Sequence, residues 1–64
     1  MNAKRESSFS GAADLVVHAE AASNYLKEVY AACVNGDKSA ARRSLRRAIS
    51  ELETARALLR TGLE

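Results

Sequence analysis

The sequence predicts an all-α fold, an antiparallel two-helix hairpin that dimerises into a four-helix bundle. Three observations support this prediction. The 64-residue chain has no proline and only three glycines, and its abundant alanine, leucine, arginine and glutamate favour helices. Two long segments each show a helical pattern of apolar residues. A short turn sequence that contains glycine separates these two segments.

The turn is predicted where Asn35, Gly36 and Asp37 follow one another. Gly36 suits the left-handed backbone position after a helix, because glycine has no Cβ to clash there. Asp37 is a preferred N-cap, since its carboxylate accepts hydrogen bonds from first-turn backbone amides. So short a connection predicts two antiparallel, neighbouring helices.

The turn also sets the expected domain organisation. We expect residues 8–64 to form a single helical-hairpin domain, with helices over roughly 9–34 and 38–61 and the turn at 35–37. Ser8 or Ser10 is expected to cap the first helix, because a serine hydroxyl can accept a hydrogen bond from an unpaired backbone amide.

Apolar residues in both helices recur at alternating steps of three and four, the spacing of a packing seam. The seam residues are Ala12, Leu15, Ala19, Ala22, Leu26, Val29 and Cys33, followed by Ala41, Leu45, Ala48, Leu52, Ala55 and Leu59. We expect the two rows to face each other within one hairpin, with large residues opposite small ones. Ala19 and Ala55 form a thin layer that we expect a group from outside the hairpin to fill.

More apolar side chains flank the seams than one hairpin can bury. They are Val16, Tyr25 and Tyr30 beside the first seam, and Ile49, Leu58 and Leu63 beside the second. Burying a Leu- or Ile-sized side chain contributes about 1.5–3 kcal/mol, and a chain this short has little core of its own. A single cysteine excludes an internal disulfide, so we expect a homodimer. A hairpin completed by a different protein is the alternative.

Four arginines, Arg42, Arg43, Arg46 and Arg47, cluster near the start of the second helix. Positive charge there opposes the helix dipole, and arginines four residues apart repel each other. Arginine binds carboxylates and phosphates through two parallel hydrogen bonds, so we expect the cluster to bind an acidic surface of a larger protein. Nucleic acid is less favoured, because no aromatic residue interleaves the arginines. A solvated face without any partner is the other interpretation.

Tyr25 and Tyr30 are predicted to join the arginines in the partner-binding surface. Tyrosines at the border of an apolar face are typical of interfaces, because the ring is apolar and the hydroxyl stays hydrated. The alternative is that both rings simply cover the core of the hairpin.

No pattern in the sequence predicts catalysis, a metal site or a cofactor. His18 has no potential ligand one helical turn further along, and Glu20 and Glu28 lack the Glu-x-x-His spacing of di-iron bundles. Cys33 lies at a seam position, where we expect a small buried side chain rather than a reactive thiol. We therefore expect a protein that is not an enzyme and binds no cofactor.

Residues 36–48 resemble the second helix of a tetratricopeptide repeat. Ala41, Leu45 and Ala48 match its small and large apolar positions, and Tyr25 falls near its first aromatic position. A single repeat is too short to stack. In size and layout the chain also resembles small two-helix accessory proteins encoded by phages, plasmids and secretion operons. That resemblance implies dimers that bind RNA, assist secretion or inhibit host proteins.

The start of the chain predicts neither export nor membrane insertion. Residues 1–7 are polar and expected to fray, and no apolar run follows them. The longest apolar stretch falls short of the roughly 18–20 residues that span a bilayer. We expect a cytoplasmic protein without a membrane partner, and one unpaired cysteine is consistent with a reducing compartment.

These observations lead to one preferred function and two alternatives. We expect a non-catalytic, homodimeric protein–protein interaction module that binds and modulates a larger protein, inhibition being one form of modulation. The first alternative is an RNA-binding hairpin dimer that uses the arginine cluster. The second is a purely structural assembly module. The formal net charge of +2 is too small to choose between these partners.

Overall fold

The computed structural model of the chain describes residues 9–62, which form two α-helices packed side by side. Helix α1 comprises Ala12–Val34 and helix α2 comprises Lys38–Gly62. The predicted all-α hairpin is confirmed for this part of the chain. Neither described helix is both long and apolar enough to cross a membrane. The expected fraying of residues 1–7 and the flanking position of Leu63 lie outside the described residues.

A three-residue turn reverses the chain between the helices. Gly36 has a φ of 72°, and its amide donates to the Cys33 carbonyl at 3.1 Å while the Asp37 amide donates to the Ala32 carbonyl at 2.8 Å. This pair of bonds is a Schellman motif, which satisfies the last carbonyls of α1. Asp37 then caps α2, because its Oδ1 accepts a hydrogen bond from the Ala40 amide at 3.0 Å. Both features agree with the turn predicted from the sequence.

Helix α1 begins later than expected and has no side-chain cap. Gly11 occupies its N-cap position with a φ of 85°, and the Leu15 amide donates to the Gly11 carbonyl at 2.9 Å. The prediction that Ser10 caps α1 is therefore wrong, because the left-handed backbone at Gly11 starts the helix one residue later. Ser8, the other predicted cap, lies outside the described residues.

Small side chains fill the space between the helices. The buried residues are Ala22, Ala32, Ser44, Ala48 and Ala55. Half-buried residues continue the same rows, so that the inner strip consists of Leu15, His18, Ala22, Tyr25, Val29 and Ala32 on α1 and Ala41, Ser44, Ala48, Glu51, Ala55 and Leu58 on α2. Its steps alternate between three and four in both helices, the spacing of two helices that pack along their whole length.

The inner strip is rotated by part of a helical turn from the predicted seam. Six predicted seam residues are exposed instead: Ala19, Leu26, Cys33, Leu45, Leu52 and Leu59. The prediction that these six residues face the other helix is therefore wrong, whereas the other seven predicted seam residues are buried or half-buried. Small side chains let two helix axes come closer together than rows of leucine do, so the alanines take the central position. The expected burial of Cys33 is wrong for the same reason.

This rotation gives the hairpin two different broad faces. The chain is only one helix layer thick, with a smallest Cα extent of 9 Å, so both faces meet solvent. Because the two helices are antiparallel and right-handed, every residue one position after an inner-strip residue in the sequence lies on the same broad face. Every residue one position before an inner-strip residue lies on the opposite broad face. The two sets of residues differ in how apolar their side chains are.

Candidate functional site

Large apolar side chains dominate the residues that follow the inner strip. The apolar members of this set form the apolar broad face, which consists of Val16, Ala19, Leu26, Tyr30 and Cys33 on α1 and Leu45, Ile49, Leu52 and Leu59 on α2. Ser23, Arg42 and Arg56 also follow the inner strip and border this face. Leu26, Leu45 and Leu52 keep 45%, 43% and 48% of their surface exposed. Contiguous rows of exposed leucine are uncommon on monomeric proteins and mark contact surfaces. The apolar broad face is therefore the first candidate interaction surface.

Polar side chains occupy the opposite broad face. The residues that precede the inner strip include Asp14, Asn24 and Glu28 on α1 and Arg43, Arg47, Ser50 and Thr54 on α2. Val17 is the large apolar exception and is 60% exposed. A face of this composition is stable in water without a partner, so the two sides of one thin hairpin differ sharply in what they require.

Two polar contacts join α1 to α2. His18 Nδ1 donates a hydrogen bond to Glu51 Oε1 at 2.6 Å, with the two side chains 33% and 27% exposed. The Ser44 hydroxyl donates to Glu28 Oε1 at 3.1 Å. These contacts help to fix how the helices are rotated and aligned, because each one requires a particular pair of residues to meet.

Sequence reasoning missed both of these contacts. It considered His18 only against residues of its own helix, whereas its partner Glu51 lies on α2. A signal was present, because Ser44 and Glu51 fall on the same alternating three- and four-residue spacing as Ala48 and Ala55. A polar residue within a row of small residues is typical of a cross-helix hydrogen bond in a closely packed pair.

The four predicted partner-binding arginines are all exposed on α2. Their helical positions place Arg42 and Arg46 on the outer edge, directed away from α1. Arg43 and Arg47 precede inner-strip residues and lie toward the polar broad face. Arg42 directly follows the inner-strip residue Ala41 and so borders the apolar broad face. Arg43, Arg46 and Arg47 lie away from that face and stay accessible when a partner covers it.

Three of these arginines, Arg42, Arg43 and Arg46, line a shallow groove of about 210 Å³ together with Ser39. We call this set of four residues the arginine groove. Arg47 lies outside it. Among the described residues, the ion pair found joins His18 to Glu51, so the arginines of the groove have no described carboxylate partner. The groove is the second candidate interaction surface.

The structure places the two predicted tyrosines differently from each other. Tyr25 is half-buried in the inner strip, which agrees with the alternative that it covers the core of the hairpin. Tyr30 is 74% exposed and belongs to the apolar broad face, whereas Arg43 and Arg47 lie toward the opposite face. Tyr30 lies toward the outer side of α1 and the arginine groove lies on the outer side of α2, so the two do not form one continuous patch.

A second hollow, of about 260 Å³, lies beside the turn and is lined by Cys33, Gly36, Asp37, Lys38 and Ala41. It continues the apolar broad face toward the end of the hairpin where the helices are connected. Within the described part of the chain, no three His, Cys, Asp or Glu side chains are grouped to hold a metal ion.

The chain matches no protein-family model, and comparisons with curated proteins and with solved structures found no match. The two candidate surfaces of the hairpin therefore provide the chemistry from which a function can be proposed.

Proposed function

We propose that this chain is a non-catalytic protein–protein interaction module that acts as a homodimer and binds a larger protein. The observation that supports the proposal is the apolar broad face, whose leucines stay exposed although the hairpin is fully formed. Two copies cover these faces by packing against each other in a four-helix bundle. The outer edges of the dimer stay free to bind and modulate the larger protein.

The composition of the apolar broad face favours a second copy as its occupant. A twofold dimer requires a surface that is complementary to itself. The leucines along its centre carry no charge, and the two arginines that follow the inner strip, Arg42 and Arg56, lie at its border, so charge stays at the rim of a paired interface. The face extends from Tyr30 near the turn to Leu59 near the open end. Ala19 and Cys33 leave hollows between larger neighbours, into which leucines of the partner can insert.

The free energy gained by covering this face is comparable with the free-energy cost of association. Its leucines are 39–48% exposed, so covering each one contributes about 1 kcal/mol, roughly half the value for full burial. Four leucines in each of two copies thus contribute about 8 kcal/mol, which lies within the ~4–15 kcal/mol that association costs in lost freedom. Ile49 and Tyr30 add further exposed apolar area to the face.

Sedimentation of the full chain and two matched variants tests this proposal. Leu52 and Thr54 are both exposed and lie two positions apart on α2, but on opposite broad faces. We expect the native chain and Thr54→Lys to be dimers at micromolar concentration, and Leu52→Lys to be monomeric because it places a charge in the buried centre of the interface.

A second measurement covers the case in which Leu52→Lys does not fold. Stability linked to dimerisation makes the melting temperature of the native chain and of Thr54→Lys rise with protein concentration. A native chain that sediments as a monomer and melts cooperatively at a temperature independent of concentration would contradict the proposal.

A further inference from the structure

The first half of α2 has an unusual charge distribution. Residues 38–50 contain five cationic side chains and no acidic one. The positive end of the helix dipole lies at the same end of the helix, and the i,i+4 pairs Arg42–Arg46 and Arg43–Arg47 add repulsion. Among the described residues, none of these five side chains has an ion pair with a carboxylate. An external anion that binds here relieves all of these repulsions together.

The geometry of the arginine groove matches a row of carboxylates. Its residues span from Ser39 to Arg46 on one side of α2, a length of roughly 10 Å at 1.5 Å per residue. Each guanidinium can hold a carboxylate through two parallel hydrogen bonds. Acidic residues three or four positions apart on a partner helix repeat over the same distance, so a short acidic segment can meet several arginines at once.

A nucleic acid fits this surface less well than an acidic segment does. When a protein contacts four phosphates of a single strand, the logarithm of its binding constant falls with the logarithm of the salt concentration with a slope of only about −3. Strongly salt-dependent binding uses roughly 6–10 contacts. Bases also require aromatic platforms, but Tyr25 lies between the helices and Tyr30 belongs to the apolar broad face.

We infer that the arginine groove binds a carboxylate-rich segment of the larger protein. This inference rests on the proposed function, because a dimer formed through the apolar broad face leaves the outer edge of α2 open in both copies. Arg42, Arg43 and Arg46 bind the carboxylates, and the Ser39 hydroxyl donates one further hydrogen bond. Twofold symmetry then presents two such grooves.

Fluorescence anisotropy with a defined probe tests this inference on the full chain. The probe is a labelled alanine-based helical peptide with glutamates over two turns, and its matched control has glutamine at the same positions. At ~50 mM salt, where charge contacts are strong, we expect saturable binding of the glutamate peptide. Binding of the glutamine peptide is expected to be at least about tenfold weaker, because charge-assisted hydrogen bonds are lost.

Two double variants with equal changes in charge separate the groove from general electrostatics. Arg43→Glu with Arg46→Glu reverses two groove residues, whereas Lys27→Glu with Arg60→Glu reverses two exposed cations outside the groove. We expect the first pair to weaken binding of the glutamate peptide at least about tenfold and the second by less than about threefold, since exposed distant charges are screened.

Three results would overturn the inference: absence of saturable binding of the glutamate peptide, equal weakening in both double variants, or tighter binding of a single-stranded oligoribonucleotide than of the peptide. Sedimentation of the same samples distinguishes a failure of the proposed dimer. A monomeric native chain that still binds the peptide through the groove contradicts the dimer but supports the groove. A dimer that ignores the peptide contradicts the groove alone.

Discussion

The two broad faces of the hairpin come from residues that lie only two positions apart in the sequence. Arg43 precedes the buried Ser44 and Leu45 follows it, and in the same way Arg47 and Ile49 lie on either side of the buried Ala48. One face presents charge and hydroxyl groups, and the other presents leucine and isoleucine. Neither face is covered by the described residues, so the packing of α1 against α2 gives no reason for the difference. We propose that a contact with a second copy of the chain accounts for the apolar broad face.

The inner strip between the faces explains why that contact matters for stability. Its buried members are four alanines and Ser44, which remove far less apolar area from water than leucines would. No large described side chain is fully buried. Much of the apolar area that could stabilise the fold is therefore on the apolar broad face, and folding and dimerisation are expected to be coupled.

The largest effect on stability is expected from enlarging a buried side chain of the inner strip, because this disturbs the packing of both helices. Ala48 is completely buried, so Ala48→Leu forces the helices apart and should lower the free energy of unfolding by roughly 1–3 kcal/mol. Urea unfolding at a fixed protein concentration measures the change. The matched substitution Ala31→Leu, at an exposed position, should change stability by less than about 0.5 kcal/mol. Equal effects would show that Ala48 does not lie between the helices.

An intermediate effect on stability is expected from removing the hydrogen bond between Ser44 and Glu28. Ser44→Ala keeps a small side chain but removes the hydrogen bond to Glu28, which should cost roughly 0.5–1.5 kcal/mol. The same urea unfolding experiment with Ser50→Ala, an exposed serine of α2, is the control and should show no loss. If both variants lose the same stability, the Ser44–Glu28 contact contributes nothing beyond the general effect of replacing serine.

The smallest effect on stability is expected from replacing Val17, the large apolar residue on the polar broad face. Val17 is 60% exposed, and Val17→Lys should change stability by less than about 0.5 kcal/mol, because surface substitutions away from contacts are nearly neutral. Sedimentation should show an unchanged dissociation constant. A dissociated Val17→Lys variant would place the dimer interface on the polar broad face and reverse the comparison between the faces.

Local chemistry explains why the turn was predictable. The left-handed position of Gly36 and the cap formed by Asp37 depend on residues within one turn of each other, so sequence spacing is sufficient to identify them. The start of α1 was not predictable in the same way, because Gly11 takes the N-cap position in preference to a serine that lies beside it. The candidate arginines were visible as a charge cluster, but their separation from Tyr30 depends on the rotation of α2 relative to α1.

The sequence by itself determined two helices, the turn that joins them and an excess of apolar surface. Only the tertiary structure decided which row of each helix faces the other helix. On α2 the alanines belong both to a row with Ser44 and Glu51 and to a row with Leu45 and Leu52, and both rows have the same 3.5-residue average spacing, so periodicity cannot distinguish them. Close approach of the two helices favours the row with the smaller side chains at the centre of α2, and this leaves Leu45 and Leu52 directed outward.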